Sequence, residues 1–263
     1  MKNFVTIDCE TVLVKKPFDI NSILSIAMYG GEYHPNKNKI AQIGVCIVEN
    51  GAIKASYSWF VKPNENNEWE KSERNPNSIT NEDTENADTF PCVWEKIKNI
   101  IGDLPIYAAH PKDAEHSYFQ TEWADYDMDN HSFPIIKDGL KKGESLSKSC
   151  LRKGISTMNM HDAKIDAELL AKVMLSEKDD FNINNKSEMI GKKICFHGIG
   201  KEMRQMLTKK CEENNISVVT TVSSKIDYLV INDNKKTAKV IKAEELGKEI
   251  ITMDDFLAKI KAA

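Results

Sequence analysis

The chain lacks the cysteine spacing that marks zinc sites and disulfide frameworks. Its six cysteines are dispersed among 263 residues, and no two of them form a C-x-x-C pair. Such dispersal is typical of free thiols in a reducing compartment. The chain also lacks an apolar run near the ~18 residues that a membrane span needs, and its first residues read as a strand rather than as a signal peptide. We therefore expect a cytoplasmic protein without a zinc cage and without a membrane partner.

A strong net charge is missing as well, because 36 Lys and Arg stand against 40 Asp and Glu, which gives a formal net charge of −4. The two signs are unevenly distributed. Residues 1–180 carry 21 basic and 29 acidic residues, whereas residues 181–263 carry 15 and 11. An acidic first part argues against a generally basic nucleic-acid surface there. Metal ions, or the basic second part, would have to supply the attraction for phosphates.

Length and patterning predict two domains, since one domain holds ~100–200 residues. Strand and helix signals alternate over residues 1–178, including two strands joined by an Asn50-Gly51 turn. This alternation predicts an α/β fold with a mixed sheet. The polar stretch 179–188 predicts a linker. Residues 189–263 then predict a small, compact α/β domain of the βαββα type.

Four acidic residues and one histidine are the candidates for chemistry. Asp8 and Glu10 are two residues apart on a predicted strand, so both side chains leave the same face. The other three are Glu115, His161 and Asp166. Carboxylates gathered from distant segments repel each other unless a cation neutralises them, and hard oxygen ligands favour Mg²⁺ or Mn²⁺ over zinc. A histidine beside such a centre indicates a base that takes a proton from the attacking water. The pattern favours a phosphodiester-cleaving site.

The spacing of His161 and Asp166 sets a condition on the local structure. Five residues on one continuous helix rotate by ~500°, which would hold the two side chains apart. They converge only if His161 lies in the turn before a helix that begins near Asp166. A helix-capping aspartate and a surface histidine are the alternative, which stays open for either residue in isolation.

Taken in order, the motifs resemble the DEDDh exonuclease family, which includes the proofreading subunit of bacterial DNA polymerase III. The segments that carry this resemblance span roughly residues 4–175 and are IDCET, IAQIGVCIVENGAI, SITNED and HDAKIDA. The likeness implies a ribonuclease H-like fold, two Mg²⁺ or Mn²⁺ ions and 3′→5′ release of 5′-mononucleotides. The implied roles are metal ligation by Asp8, Glu10, Glu115 and Asp166, general-base catalysis by His161, and seating of the 3′-terminal nucleotide by Thr11.

The middle motif departs from the H-N-x-x-F-D pattern that the family usually has. This chain reads HPKDAE from His110 to Glu115. Glu115 would therefore replace the usual aspartate, and Asp113 is the substitute if the register slips. The change leaves open a second class of function, a nucleic-acid or protein-binding adaptor with a decayed nuclease site. Residues 12–38 form a longer insertion than we expect after the first motif, and we expect them to form a lid.

Residues 190–263 resemble a BRCT domain, especially the one that ends bacterial NAD-dependent DNA ligases. The matching segments are MIGKKICFHG, SSKIDYLVI and TAKVIKAEELGKEIITMDDFL. The resemblance implies a phosphate site on Gly198 and Lys239, with His197 as a weaker donor, or else a purely protein-binding module. The two resemblances together predict a DNA exonuclease that acts on single strands or 3′ ends. Its BRCT module would tether it to DNA or to a repair partner. An RNA or oligoribonucleotide exonuclease stays open, since the family uses both sugars.

Overall fold

The structure is a computed structural model that describes residues 3–15, 36–63, 69–70, 79–110, 114–176, 187–233 and 235–261. Contacts divide the chain into two compact units, Met1–Lys142 with His161–Ala171 and Gly143–Met160 with Lys172–Ala263. The domain boundaries expected from the sequence stay a prediction. Asp113, residues 16–35 of the expected lid and residues 179–186 of the expected linker lie outside the described residues. Within the described ranges, no helix has the length and apolar character to cross a membrane.

A mixed sheet forms the centre of the first unit. Its strands are β1 (Phe4–Lys15), β2 (Asn36–Glu49), β3 (Ala52–Phe60), β4 (Trp69–Glu70), β5 (Ile106–Ala108) and β6 (Ile136–Asp138). The strand order is β3-β2-β1-β5-β6, and β4 pairs with β1. Strands β1, β2 and β3 are antiparallel neighbours, whereas β1, β5 and β6 run parallel. The predicted mixed sheet is confirmed, and β1 lies at its middle.

Local chemistry explains how these elements begin and end. Asn50 and Gly51 join β2 to β3 with φ values of 54° and 79°, which are the left-handed angles that a tight hairpin turn requires. Among the residues described up to Leu175, the α-helices are α1 (Asn81–Glu85), α2 (Phe90–Ile101), α3 (Glu115–Asp125), α4 (Leu146–Arg152) and α5 (Ala163–Leu175). Four rings from α2 and α3 pack mostly edge to face in the core, namely Phe90, Trp94, Phe119 and Trp123. These contacts hold α3 against α2.

The second unit has a smaller, fully parallel sheet. The elements after residue 187 are, in chain order, β7 (Lys193–His197), α6 (Lys201–Glu213), β8 (Ser217–Val219), β9 (Tyr228–Ile231), α7 (Ala238–Glu245), β10 (Glu249–Thr252) and α8 (Met253–Lys261). The strand order is β10-β9-β7-β8. Strand β10 was not predicted, because its four residues follow α7 closely and carry a strand pattern too short to stand out. The rings of Phe196 on β7 and Phe256 on α8 pack edge to face in the core, with their centroids 5.4 Å apart.

Candidate active site

Strand β1 presents the first two carboxylates. Asp8 pairs with Gly44 and Glu10 pairs with Gln42 in the register between β1 and β2, and both acidic side chains leave the same face of the sheet. The register shifts between Glu10 and Thr11. A bulge of this kind bends the strand and re-aims its side chains, and is common next to active sites. Glu10 is only 4% exposed, so β1 carries its charge into a largely dehydrated position.

Glu115 belongs to the helix that follows the strand beside β1. It is the first residue of α3, which follows the parallel strand β5 beside β1, and it is 5% exposed. An acidic residue in the first helical turn is stabilised by the helix dipole and the free N–H groups there. The pKa of Asp8 is raised first by burial, and the negative charge of Glu115 contributes after that of Asp166. The role of Glu115 as a metal ligand stays a prediction.

His161 and Asp166 are brought together by a turn. Helix α5 begins at Ala163, three residues before Asp166, and His161 lies outside it with a φ of 74°. This left-handed conformation is uncommon for a residue other than glycine and directs the chain back on itself. The backbone N–H of His161 donates to Oδ2 of Asp166 at 3.1 Å. The condition set by the five-residue spacing is met, since the turn rather than the helix carries His161.

These groups meet at one point. One potential ligand atom each from Glu10, His161 and Asp166 lies within 4.8 Å of the other two. The imidazole is exposed, whereas the two carboxylates are buried. The pKa of Asp8 is raised well above its usual range, first by burial and then by the negative charges of Asp166, Glu115 and Glu10. The measured convergence thus covers Glu10, His161 and Asp166, whereas Asp8 and Glu115 are linked to them through the raised pKa of Asp8.

The cluster has the properties of a cation site. Burial raises the pKa of Asp166 to about 7, with further contributions from Glu10 and Asp162, while the hydrogen bond from His161 lowers it. Among the residues that the structure describes, no hydrogen-bond partner reaches the buried Oδ1 of Asp166. Carboxylate oxygens with one imidazole at their edge suit Mg²⁺ or Mn²⁺. A divalent cation would give this oxygen a partner and would offset the repulsion, so the residues fit the ions expected from the sequence.

Two supporting residues were missed by the sequence analysis. Thr6 of β1 donates from Oγ1 to the carbonyl oxygen of Ala167 at 2.6 Å, which holds the N-terminal half of α5 on the sheet. Gly44 of β2 allows the closest approach, because a Cβ there would lie 2.0 Å from the carbonyl carbon and oxygen of Ala163. A glycine inside a strand pattern is the signal for such an approach. No local signal distinguishes Thr6 from an ordinary strand residue.

Thr11 follows Glu10 directly at the bulge and is buried. It is 3% exposed, and it shares a hydrogen bond with the phenol of Tyr118 on α3. Burial raises the pKa of this phenol, and the negative charge of Glu115 contributes in the same direction, while the hydrogen bond with Thr11 lowers it. Tyr118 was not predicted as a site residue. The role of Thr11 in seating a nucleotide stays a prediction.

The second candidate site lies in the second unit. Lys239 donates from Nζ to the carbonyl oxygen of Thr220 at 2.9 Å, and Nε2 of His197 lies 3.0 Å from Oγ1 of Thr237. Gly198 has a φ of 72°, and a Cβ there would lie 2.9 Å from Oδ2 of Asp233. An acidic side chain at this distance disfavours a bound anion. A phosphate role for Gly198 and Lys239 stays a prediction.

Two family models match the chain. The model described as Exonuclease matches residues 5–174, and the model described as BRCA1 C Terminus (BRCT) domain matches residues 187–260. The nuclease domain of 3′hExo, a DEDDh family member solved bound to rAMP, is similar in fold with a TM-score of 0.50 and 14% identity. The similarity covers 68% of this chain and 94% of that domain.

Curated relatives are named DNA ligase. The one from Ruthia magnifica subsp. Calyptogena magnifica is 29% identical over an alignment of 154 positions, which covers 49% of this chain and 25% of the ligase. The one from Christiangramia forsetii is 34% identical over 79 residues, which are 30% of this chain and 12% of the ligase. The chain thus spans a quarter or less of the length of these two relatives.

Proposed function

The chain belongs to the exonuclease family, and we propose that it is a 3′→5′ exonuclease that releases 5′-mononucleotides from DNA with two Mg²⁺ or Mn²⁺ ions. The observation that carries the proposal is the convergence of Glu10, His161 and Asp166 within 4.8 Å. Acidic residues that raise one another's pKa in a buried place are costly unless they serve a cation. In a purely structural role, nothing would offset the free-energy cost of this repulsion.

Each residue of the site has a defined task in this reaction. The carboxylates of Asp8, Glu10, Glu115 and Asp166 would hold the ions, which supply Lewis-acid stabilisation of the attacking and leaving oxygens. His161 would accept the proton of the attacking water at a ring nitrogen. Its exposed ring can be reached by water and substrate, while its backbone N–H stays bound to Asp166.

The BRCT domain adds a second binding function to the proposal. We propose that it tethers the enzyme to DNA or to a repair partner, which raises the effective concentration of the nuclease at ends or nicks. The relatives named DNA ligase support DNA as the substrate. Action in the reducing cytoplasm is part of the proposal, supported by six dispersed cysteines without a C-x-x-C pair.

An RNA or oligoribonucleotide exonuclease is the second candidate. The fold relative 3′hExo was solved with rAMP, and discrimination between the sugars depends on contacts with the 2′-OH. The adaptor with a decayed site is the third, favoured only by the altered middle motif. The negative charge of Glu115 adds to the raised pKa of Asp8, after burial and Asp166, despite that change, which supports a working site.

A labelled-strand assay tests the proposal. The purified full chain is incubated with Mg²⁺ or Mn²⁺ and single strands of DNA or RNA labelled at the 5′ end. The expected result is a ladder that shortens from the 3′ end and 5′-mononucleotides as the product, with DNA hydrolysed faster than RNA. Immediate release of the 5′ label as a mononucleotide would contradict the direction. Binding without metal-dependent hydrolysis of either strand would establish the adaptor instead.

A further inference from the structure

The side-chain amide of Gln42 on β2 forms hydrogen bonds through both its nitrogen and its oxygen. It is the register neighbour of Glu10 and is 5% exposed. Its Nε2 donates to Oδ2 of Asp162 at 3.1 Å and to Oγ of Ser58 at 3.0 Å. Its Oε1 accepts from the backbone N–H of Ala163 at 3.2 Å. A buried amide whose donors and acceptor are all engaged is expensive to disturb, since each lost bond leaves a buried group without its partner.

Two of these three bonds hold the start of α5. Oδ1 of Asp162 accepts from the backbone N–H of Ile165 at 3.1 Å, which caps the helix. The carbonyl oxygen of Asp162 accepts from the backbone N–H of Asp166 at 2.9 Å. One carboxylate is therefore shared between the helix cap and Gln42. His161 precedes this cap directly, and Asp166 follows it by four residues.

We propose that Gln42 is a positioning residue that acts through Asp162 and Ala163 to hold His161 against Asp166. The inference rests on the proposed function, because its main consequence is read in turnover. Gln42 is buried and bonds the turn, so substrate binding should change little when it is replaced. A displacement of a reacting group by about 1 Å can reduce a rate by about 10²-fold.

The test compares two variants of the full chain. Gln42→Met keeps the length of the side chain and removes all three hydrogen bonds. We expect its kcat to fall by about 10- to 100-fold, with KM changed by less than about threefold. The control Ser58→Ala removes only the bond that does not reach the turn, and its kcat should stay within about twofold of the unaltered chain. Assays run well below the melting temperature of each variant, measured by circular dichroism.

The opposite results overturn the inference. A kcat for Gln42→Met within about twofold of the unaltered chain would leave Gln42 with a structural role alone. An equal loss in Ser58→Ala would show that the effect does not pass through the turn. If Gln42→Met fails to fold, Gln42→Glu replaces it. This variant keeps an acceptor for the N–H of Ala163 but loses the donor to Asp162, and the same fall in kcat is expected.

A double-mutant cycle tests whether the effect passes through Asp162. If it does, the double variant Gln42→Met with Asp162→Ala should lose less activity than the product of the two single losses, because the two residues share one hydrogen bond, while the bond from Ala163 to Gln42 is kept in Asp162→Ala. Single losses that multiply in full would overturn the inference, because independent residues behave additively in free energy.

One further measurement keeps this inference apart from the proposed function. If the unaltered chain hydrolyses DNA while Gln42→Met is equally fast, only the inference fails. If the unaltered chain is inactive, the proposed function fails, and a calorimetric titration with Mn²⁺ decides the inference instead. Mn²⁺ binding about 10-fold weaker in Gln42→Met than in Ser58→Ala would support positioning of Asp166. Equal Mn²⁺ affinities would overturn it.

Discussion

The two candidate sites differ in whether their own residues satisfy one another. In the first unit, charges of one sign are gathered, the pKa values of Asp8 and Asp166 are raised, and a buried oxygen of Asp166 has no hydrogen-bond partner among the described residues. Such an arrangement is unfavourable by itself. It becomes favourable when a cation is bound.

At the second candidate site, the polar groups already have partners within the chain. The amine of Lys239 donates to Thr220, and the ring of His197 lies within hydrogen-bond distance of Thr237. A negative charge from Asp233 lies beside Gly198. Residues that match a family's binding motif therefore predict a bound ligand poorly when the fold already pairs their charges within the chain.

The largest effect on hydrolysis is expected when one carboxylate of the first site is removed. Asp8→Ala and Asp166→Ala are each expected to abolish hydrolysis, because each deletes a ligand of the ions and leaves too few oxygens to hold them. Asp103→Ala is the matched control, since this aspartate is exposed after α2. Initial rates of mononucleotide release check the prediction. Turnover of Asp166→Ala within about tenfold of the unaltered chain would contradict it.

The next largest effect is expected at His161. His161→Asn should slow hydrolysis by about 10²–10⁴-fold, which is the usual contribution of a general base. Asparagine is chosen because it tolerates the left-handed conformation that His161 adopts, with a φ of 74°. Strand binding, measured by fluorescence anisotropy, should be unchanged. His131→Asn replaces an exposed histidine elsewhere and should hydrolyse normally, whereas equal rates for the two variants would remove His161 from the mechanism.

The repulsion among the carboxylates of the first site should also make the stability of the fold depend on pH. Because the fold raises the pKa of Asp166 to about 7, from an ordinary value of about 3.9, the folded protein favours the protonated carboxyl group. Its contribution to stability is present at pH 4 and is lost as the pH rises towards 7. Asp8 acts in the same direction. We therefore expect the melting temperature in EDTA to fall over this range.

Two controls accompany that melting series. Saturating Mn²⁺ should flatten the fall, because a bound cation favours the ionised carboxylates and stabilises the folded state. Asp166→Asn should flatten it without any metal, since the titrating group is gone. A melting temperature in EDTA that rises from pH 4 to pH 7 would show that the carboxylates do not repel each other as described.

The smallest effect is expected in the second unit. Asp233→Asn removes the negative charge beside Gly198 and should strengthen binding of inorganic phosphate by about two- to fivefold, the range of an exposed charge pair. Lys239→Ala should weaken it by a similar factor, and neither change should alter hydrolysis. Phosphate titrations followed by nuclear magnetic resonance check both. Absence of phosphate binding in every variant would favour a purely protein-binding module.

The sequence predicted those parts of the site that depend on local periodicity. The two-residue spacing of Asp8 and Glu10 is a property of any strand, and the five-residue spacing before Asp166 required a turn at His161. The close approach at Gly44 depends instead on a backbone segment 119 positions later, so the sequence only signalled that some approach occurs. The contacts of Gln42 were not predictable, because a buried glutamine in a strand has no pattern that names its partners.

A crystal structure with Mn²⁺, phased on its anomalous scattering, tests the central claim most directly. The account predicts anomalous peaks bounded by the carboxylates of Asp8, Glu10 and Asp166, with His161 at the open side. It also predicts that Glu115 contacts one of the ions. Mn²⁺ bound only elsewhere, with the acidic cluster empty at saturating metal, would contradict the account.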